Sequence, residues 1–254
     1  MIERQIDIAT ADGQMTTFVC HPERDAPHPV IVFFMDALGI REELRTMVRR
    51  IASTGFYVVL PNLFYRSGVL ELGPDATVRD STGRSKITPL VESLTIPLVM
   101  ADADVLLRSI EADPAARQGG AGVIGYCLSG QYAINLAARH PQRFQAAASI
   151  YGTSLVTDRS ESPHRQALRA SAELYFACAE IDHWMPLEAI AELRAGLTGR
   201  VERTEIELFP NYEHGFAFPA RHSYNLVAAE RHWERLFALF ERNLKSSRAS
   251  TTAR

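Results

Sequence analysis

Residues 122–131 read GVIGYCLSGQ, and this stretch decides how the chain is interpreted. An apolar run enters it, a pattern with helical spacing leaves it, and Cys127 stands at the junction. A strand–turn–helix junction of this kind either raises a reactive side chain on a sharp turn or buries a small cysteine where a strand ends. Features elsewhere in the sequence distinguish these two interpretations.

Apolar runs and helical patterns alternate on both sides of this stretch. Residues 4–22 alternate between polar and apolar side chains and are interrupted by Asp12 and Gly13, which predicts a β-hairpin. Continuous apolar runs such as PVIVFF and FYVVL are typical of strands buried on both faces, and segments with helical spacing separate them. The sequence therefore predicts an α/β fold, with a mostly parallel sheet, an N-terminal β-hairpin and helices on both faces.

The domain organisation is expected to be simple. No linker or internal repeat divides the sequence, so we expect one domain over residues 1–245. Its least regular part is 65–97, where Gly, Pro, Asp and Ser are scattered, and we expect a surface excursion with one short helix there. Residues 246–254 are small and polar and are predicted to form a flexible tail.

The composition excludes several classes of protein. The 254 residues carry a net charge of −3, with 22% charged and 46% hydrophobic side chains, and no basic stretch suggests nucleic-acid binding. No apolar run approaches the roughly 18 residues of a membrane span, and the N-terminal residues are unlike a signal peptide, so we expect no membrane association and a cytoplasmic location. Three scattered cysteines and the absence of a CxxC pair argue against disulfides and against a metal site.

Three side chains with complementary chemistry follow three of the predicted strands. They are the thiol of Cys127, the carboxylate of Asp182 and the imidazole of His214. The carboxyl ends of parallel strands meet at one edge of a sheet, where ligands bind, and the order nucleophile, acid, histidine is that of α/β-hydrolase triads. In such a triad His214 takes the thiol proton and later activates water, while Asp182 orients the ring. Asp182 would alternatively cap the helix that follows it.

A cysteine that attacks carbonyl groups also needs space and an oxyanion hole. Gly125 lies two residues before the cysteine, but Ser129 stands two residues after it, where glycine is usual. The predicted oxyanion donors are the backbone N–H groups of Leu128, in the first turn of the next helix, and of Ala37, after the strand PVIVFF.

The motifs GYCLSG, AEIDHWMP and YEHGFAF, in this order behind an N-terminal hairpin, resemble dienelactone hydrolases. The spacings are similar to those of that family, with 55 residues from Cys127 to Asp182 and 32 from Asp182 to His214. The resemblance covers about residues 5–240. It implies a single-domain α/β-hydrolase fold, a Cys–His–Asp triad, no cofactor, and hydrolysis of a dienelactone or a related ester.

Two positions depart from the pattern of the family. Members typically carry a glutamate that contacts the resting thiol, and the matching residue here is Asp36, which is one methylene shorter. Bonding of Asp36 to the backbone of its own loop is an equally good interpretation. Well-studied members also carry an arginine four residues after the histidine, which binds the substrate carboxylate. This sequence has Phe218 there, and Arg84 is an alternative cation.

Several aromatic side chains near strand ends are candidates for the pocket wall or for the core, namely Tyr126, Trp184, Phe216 and Phe218. The predicted function is hydrolysis of a small ester or lactone through an acyl-cysteine intermediate, by a monomer or small homo-oligomer. The same triad would also serve thioester hydrolysis, acyl transfer or lactone formation. The alternative of another class is a non-catalytic ligand-binding or redox-responsive protein on a hydrolase scaffold.

Overall fold

The computed structural model describes residues 1–72 and 81–245, which are organised around an eight-stranded sheet. The strands are β1 (Ile2–Thr10), β2 (Gly13–His21), β3 (His28–Phe34), β4 (Tyr57–Pro61), β5 (Ala116–Tyr126), β6 (Phe144–Ile150), β7 (Glu173–Ile181) and β8 (Thr204–Glu213). Their order across the sheet is β1-β2-β4-β3-β5-β6-β7-β8. The pairs β1–β2 and β2–β4 are antiparallel and all other neighbours are parallel, which confirms the predicted hairpin and mostly parallel sheet.

Helices cover the sheet and connect its parallel strands. They are α1 (Glu42–Ala52), α2 (Ser81–Glu92), α3 (Ile96–Glu111), α4 (Gly130–Arg139), α5 (Pro163–Gln166), α6 (Leu187–Gly196) and α7 (Leu226–Leu244). Every residue of β3 and β4 is buried, as expected for central strands with both faces covered. The continuous apolar runs of the sequence therefore have a direct cause in the layered packing.

Helix α1 illustrates how the sequence pattern gives an element. Its buried residues include Leu44, Met47, Val48 and Ile51, which recur at helical spacing and form one apolar face. Acidic residues occupy its first turn and basic residues its last, in agreement with the helix dipole. This helix leads away from the loop that follows β3, and so it fixes the far end of that loop.

Two elements differ in extent from the sequence prediction. Strand β5 begins at Ala116, five residues before the apolar run 121–126, because the polar segment RQGG bulges and the register with β3 shifts there. The excursion 65–97 contains a turn of 3-10 helix at Tyr65–Ser67 and the helix α2, while α3 already begins at Ile96, after Thr95 as N-cap. Residues 73–80 of the excursion and the predicted tail 246–254 lie outside the described residues.

The described part of the chain offers neither a membrane-spanning helix nor a cluster of metal ligands. No helix in it is both long and apolar enough to cross a membrane. Within the same residues, no group of three or more His, Cys, Asp or Glu side chains has an arrangement that could hold a metal ion.

Candidate active site

Cys127 occupies a sharp turn between β5 and α4. Tyr126 still has extended backbone angles, whereas Cys127 has a φ of +54° and begins one turn of 3-10 helix, Cys127–Ser129, before α4 starts. A left-handed conformation is uncommon for a non-glycine residue and costs on the order of 1–3 kcal/mol, so the surrounding packing must hold it. The turn leaves the side chain half-buried and on the wall of a cavity.

Two glycines make this turn sterically possible. A Cβ atom at Gly125 would lie 2.1 Å from the carbonyl oxygen of Ser129, and one at Gly130 would lie 2.5 Å from the Cα of Gly152. Neither distance is compatible with a side chain, because the helix starts directly against the strand and against the segment that follows β6. The small residues noted in the sequence are thus required by close backbone approach.

The serine that stands in place of the usual glycine has a partner of its own. Ser129 is fully buried, and its Oγ donates a short hydrogen bond to the carbonyl oxygen of Met35. Met35 directly follows β3 and precedes the loop that carries Ala37. The serine hydroxyl therefore links the turn at Cys127 to the loop of the second predicted oxyanion donor.

His214 and Asp182 form a close pair at the ends of β8 and β7. The Nδ1 atom of His214 lies 2.7 Å from Oδ2 of Asp182, and the backbone N–H of His214 donates to the carbonyl oxygen of Ile181 at 3.2 Å. The second carboxylate oxygen of Asp182 accepts the N–H of Trp184 at 2.9 Å. Because α6 begins only at Leu187, with Pro186 as its N-cap, Asp182 closes a turn and orients the histidine but does not cap the helix.

The electrostatics of His214 are set by its two acidic neighbours. Burial disfavours the charged ring and lowers its pKa, but the interactions with Cys127 and with the carboxylate of Asp182 outweigh burial and raise the pKa of His214 to about 10. The Nε2 atom is buried and makes no hydrogen bond of normal geometry with a described residue. Contacts of catalytic groups are often long in unliganded enzymes and tighten with substrate.

The two predicted oxyanion donors lie on the wall of the same cavity. Phe34 at the end of β3 pairs in register with Gly125 of β5, so the loop after β3 lies beside the turn at Cys127. Ala37 and Leu128 both line the cavity together with Cys127. The sheet register therefore brings the two backbone segments to one place.

Asp36 has a different environment from the one that the family resemblance suggests. Its carboxylate is fully buried and pairs with Arg41 at 2.7 Å and with Arg221 at 2.6 Å, and it also accepts the N–H of Leu38 at 3.1 Å. Burial raises the pKa of Asp36, but the two guanidinium groups outweigh burial and lower it. Of the two interpretations of Asp36, the structural one matches the contacts: among described residues, the hydrogen bonds of this carboxylate go to the two arginines and to its own loop.

Three of the four aromatic candidates lie behind the cavity wall. Tyr126, Phe216 and Phe218 are fully buried and do not line the cavity, which corrects the expectation that they contact substrate. Their rings fill the space under the strand ends, where large aromatic side chains exclude water. Trp184 is on the wall, 49% exposed, with its ring centroid 4.7 Å from that of His214.

The cavity above Cys127 has a volume of about 620 Å³. One face of α2 forms part of its wall, with Arg84, Thr88 and Val91 spaced at one helical turn from each other. Leu94 and Ile96 continue this wall with apolar surface. The predicted cation Arg84 thus lies on the cavity wall, and the excursion 65–97 supplies part of the enclosure.

Two further arginines on the wall were missed by the sequence analysis. Arg221 reaches the cavity from the loop after His214, and Arg159 reaches it from the loop after β6, where its Nη2 is 3.3 Å from Oε1 of Gln131. Within the described residues, neither Arg84 nor Arg159 forms an ion pair with a carboxylate. The only sequence signal for Arg221 was its position seven residues after the histidine, in a segment without periodicity.

Comparison with known proteins agrees with this architecture. The model of the dienelactone hydrolase family matches residues 15–244. A protein of Escherichia coli strain K12, provisionally named carboxymethylenebutenolidase, is 26% identical over 247 residues, with 92% of this chain and 84% of that protein covered. A Bradyrhizobium protein, provisionally named 2-oxo-3-(5-oxofuran-2-ylidene)propanoate lactonase, is 23% identical, with 90% and 89% covered.

Solved structures show the same fold. A crystal structure from Klebsiella pneumoniae subsp. pneumoniae MGH 78578, described provisionally as a dienelactone hydrolase, superposes with a TM-score of 0.81 at 23% sequence identity. The superposition covers 95% of this chain and 98% of that chain. The predicted α/β-hydrolase fold is confirmed by this likeness.

Proposed function

This chain belongs to the dienelactone hydrolase family, and we propose that it hydrolyses a small ester or lactone through a covalent acyl-Cys127 intermediate. One observation carries this proposal. The thiol of Cys127 stands on a left-handed turn at the wall of the cavity that His214 also lines, and His214 lies 2.7 Å from Asp182. A nucleophile, a base and a group that orients the base are the parts that acyl transfer requires.

In the first half of the proposed reaction, Nε2 of His214 accepts the thiol proton and the sulfur of Cys127 attacks the carbonyl carbon of the substrate. Cys127 and Asp182 stabilise the imidazolium of His214, as its raised pKa indicates, and this favours the transfer. The N–H groups of Leu128 and Ala37 donate to the oxyanion that forms. The C–O bond then breaks, and the imidazolium gives its proton to the leaving oxygen, which leaves an acyl thioester on Cys127.

In the second half, the neutral ring of His214 removes a proton from a water molecule, which attacks the carbonyl carbon of the acyl thioester. The same backbone donors serve the second oxyanion. The C–S bond breaks, the carboxylic acid is released, and the proton on His214 returns to the sulfur. Since a thiolate is a good leaving group, the site suits activated esters, lactones and thioesters better than amides.

The cavity wall suggests the character of the substrate. Val91, Leu94 and Ile96 offer apolar surface, and Glu92 also lies on the wall. Arg84 and Arg159 offer two guanidinium groups that form no ion pair with a described carboxylate. A compact ester or lactone with an apolar body and a carboxylate matches this combination. The relative named as an oxofuranylidene propanoate lactonase has a substrate name with both a lactone ring and a carboxylate.

The test compares Cys127→Ala with Cys20→Ala, since Cys20 is also a free cysteine but lies buried in the hairpin. We expect the first variant to lose turnover of aryl esters and lactones and the second to keep it. Intact mass after brief exposure to an activated ester should show one acyl group on the wild type and none on Cys127→Ala. Full turnover by Cys127→Ala would refute the acyl-cysteine mechanism. For the wild type, esters that carry a carboxylate should give a higher kcat/KM than uncharged esters.

Three expectations stay predictions from the sequence alone. They are the cytoplasmic location, the assembly as a monomer or small homo-oligomer, and the organisation as one domain over residues 1–245.

A further inference from the structure

Four charged side chains of alternating sign connect helix α1 to the cavity wall. Arg41 lies 2.6 Å from a carboxylate oxygen of Glu43 and 2.7 Å from one of Asp36, and Arg221 lies 2.6 Å from the other oxygen of Asp36. We call these four residues the Asp36 cluster. Of them, only Arg221 lines the cavity, while the side chain of Arg41 is 14% exposed and outside it.

The Asp36 cluster joins two loops that carry proposed catalytic groups. On one side Asp36 accepts the N–H of Leu38, and Arg41 donates to the carbonyl oxygen of Gly39 at 3.3 Å. Both hydrogen bonds hold the backbone directly after Ala37. On the other side the second carboxylate oxygen of Glu43 accepts the N–H of Ala220 at 2.8 Å. The loop of the proposed oxyanion donor is thereby tied to the loop that follows His214.

Both guanidinium groups of the Asp36 cluster lie close to the ring of Phe218. The Cζ atom of Arg41 lies 5.1 Å from the centroid of its ring, and that of Arg221 lies 5.6 Å from it. Both distances are within the range of cation–π attraction. The buried ring of Phe218 therefore stabilises, by cation–π attraction, the two guanidinium groups that bind Asp36.

Buried charges constrain geometry because each one is costly without its partner. Asp36 is fully buried, so loss of Arg41 would leave its carboxylate with one cation in place of two and would free the loop at Gly39. The planar guanidinium binds Asp36 through two nitrogens, Nη1 at 2.7 Å and Nη2 at 3.2 Å, which fixes orientation as well as distance.

We propose that Arg41 is a positioning residue of the proposed hydrolysis. Acting through Asp36 and the carbonyl oxygen of Gly39, it sets the backbone at Ala37 without touching the substrate. This inference rests on the proposed function, since it concerns the stabilisation of the oxyanion in that reaction.

The test separates oxyanion chemistry from the reactivity of the thiol. Hydrolysis of an uncharged aryl ester forms an oxyanion, whereas alkylation of Cys127 by iodoacetamide displaces iodide and needs no oxyanion donor. For Arg41→Met we expect kcat to fall about 10- to 100-fold, because misplacing one oxyanion donor costs about that much. The KM of the ester and the alkylation rate should stay within about threefold of wild type, since binding and the thiol–imidazole pair are not altered.

Three further variants make the result specific. Arg41→Lys keeps the charge without the planar fork and should recover part of kcat. Glu43→Gln leaves Arg41 in place with a weaker partner and should lower kcat less than Arg41→Met. Arg45→Met is the matched control, because Arg45 lies four residues along the chain and pairs with Glu42 and Glu71 at 3.7 Å, outside the cluster. It should keep the wild-type kcat.

Several outcomes overturn the inference. They are a wild-type kcat in folded Arg41→Met, an equal fall of kcat and alkylation rate, or the same fall in Arg45→Met. Should Arg41→Met not fold, Glu43→Gln decides, and a wild-type kcat in that variant overturns the inference. Absence of ester turnover in the wild type, with Cys127 still alkylated, rejects the proposed function instead.

Discussion

Tyr126 and Cys127 are neighbours in sequence, yet each interacts with a different buried histidine. The hydroxyl of Tyr126 and Nε2 of His232 are 3.1 Å apart, and Nδ1 of His232 donates to the carbonyl oxygen of Ala229. Cys127 and Asp182 are the acidic neighbours of His214. The side chain of His214 is 10% exposed and that of His232 is fully buried, so both rings are largely removed from water.

The two environments shift the pKa of histidine in opposite directions. Burial lowers the pKa of His232 to about 3, since the backbone carbonyl of Ala229 compensates it only in part. Burial acts in the same direction on His214, but two acidic partners reverse it and the pKa rises to about 10. The comparison teaches that burial alone does not set the charge of a histidine. The acidic groups next to the ring decide it as well.

The largest difference between the surroundings of His214 and those of His232 should appear in kcat/KM. His214→Gln removes the proposed base and should lower kcat/KM for an aryl ester by about 10³-fold, within the range of general acid–base catalysis. His232→Gln should change kcat/KM by no more than about twofold per folded molecule, because its ring contacts no group of the proposed mechanism. Active-site titration corrects for the folded fraction. Equal losses in the two variants would contradict the assignment of roles.

The dependence of stability on pH should differ in sign between the two histidines. The folded-state pKa of His232 is lowered from 6.5 to about 3. Its contribution to stability is present above about pH 6.5 and is lost as the pH falls towards 3, up to roughly 4–5 kcal/mol. The folded-state pKa of His214 is raised from 6.5 to about 10, so its contribution is present below about pH 6.5 and is lost as the pH rises through 10.

Urea unfolding between pH 4 and pH 10 measures both slopes. His232→Gln should flatten the acid side of the stability profile, and His214→Gln should flatten the alkaline side. A flattening of the same side by both variants would show that the two rings do not titrate in opposite directions.

The smallest effect concerns the hydroxyl group next to the proposed nucleophile. Tyr126→Phe leaves Nε2 of His232 buried without its donor, which should lower the free energy of unfolding by about 1–3 kcal/mol. The same change should leave kcat within about twofold, because Tyr126 does not line the cavity. Thermal unfolding and steady-state kinetics check both parts. A fall in kcat beyond that range would show that the contact between Tyr126 and His232 contributes to the reaction at Cys127.

Much of this comparison was visible in the sequence. The order of Cys127, Asp182 and His214 after apolar runs predicted their meeting at one edge of the sheet, because the carboxyl ends of parallel strands lie at the same edge. The burial of His232 was not predicted. In the sequence His232 is one of several histidines in loops or helices that are expected to be solvated, and only the packing of α7 reveals its contact with Tyr126.

The contacts of long charged side chains also could not be predicted from the sequence. Asp36 was identified as a site candidate, but its partners Arg41 and Arg221 are 5 and 185 residues away. No periodic pattern connects such positions, since guanidinium groups reach across loops that carry no regular spacing. For the same reason the buried position of Phe218 beside two arginines could not be inferred from its place after His214.

Helix α2 has a consequence for how the range of substrates can change. Arg84, Thr88 and Val91 belong to one helix face and lie outside the sheet that carries Cys127 and His214. Substitutions at these three positions therefore alter the shape and charge of the wall while the strands stay intact. A small combinatorial library at 84, 88 and 91 is the economical starting point for directed evolution of new ester specificities on this scaffold.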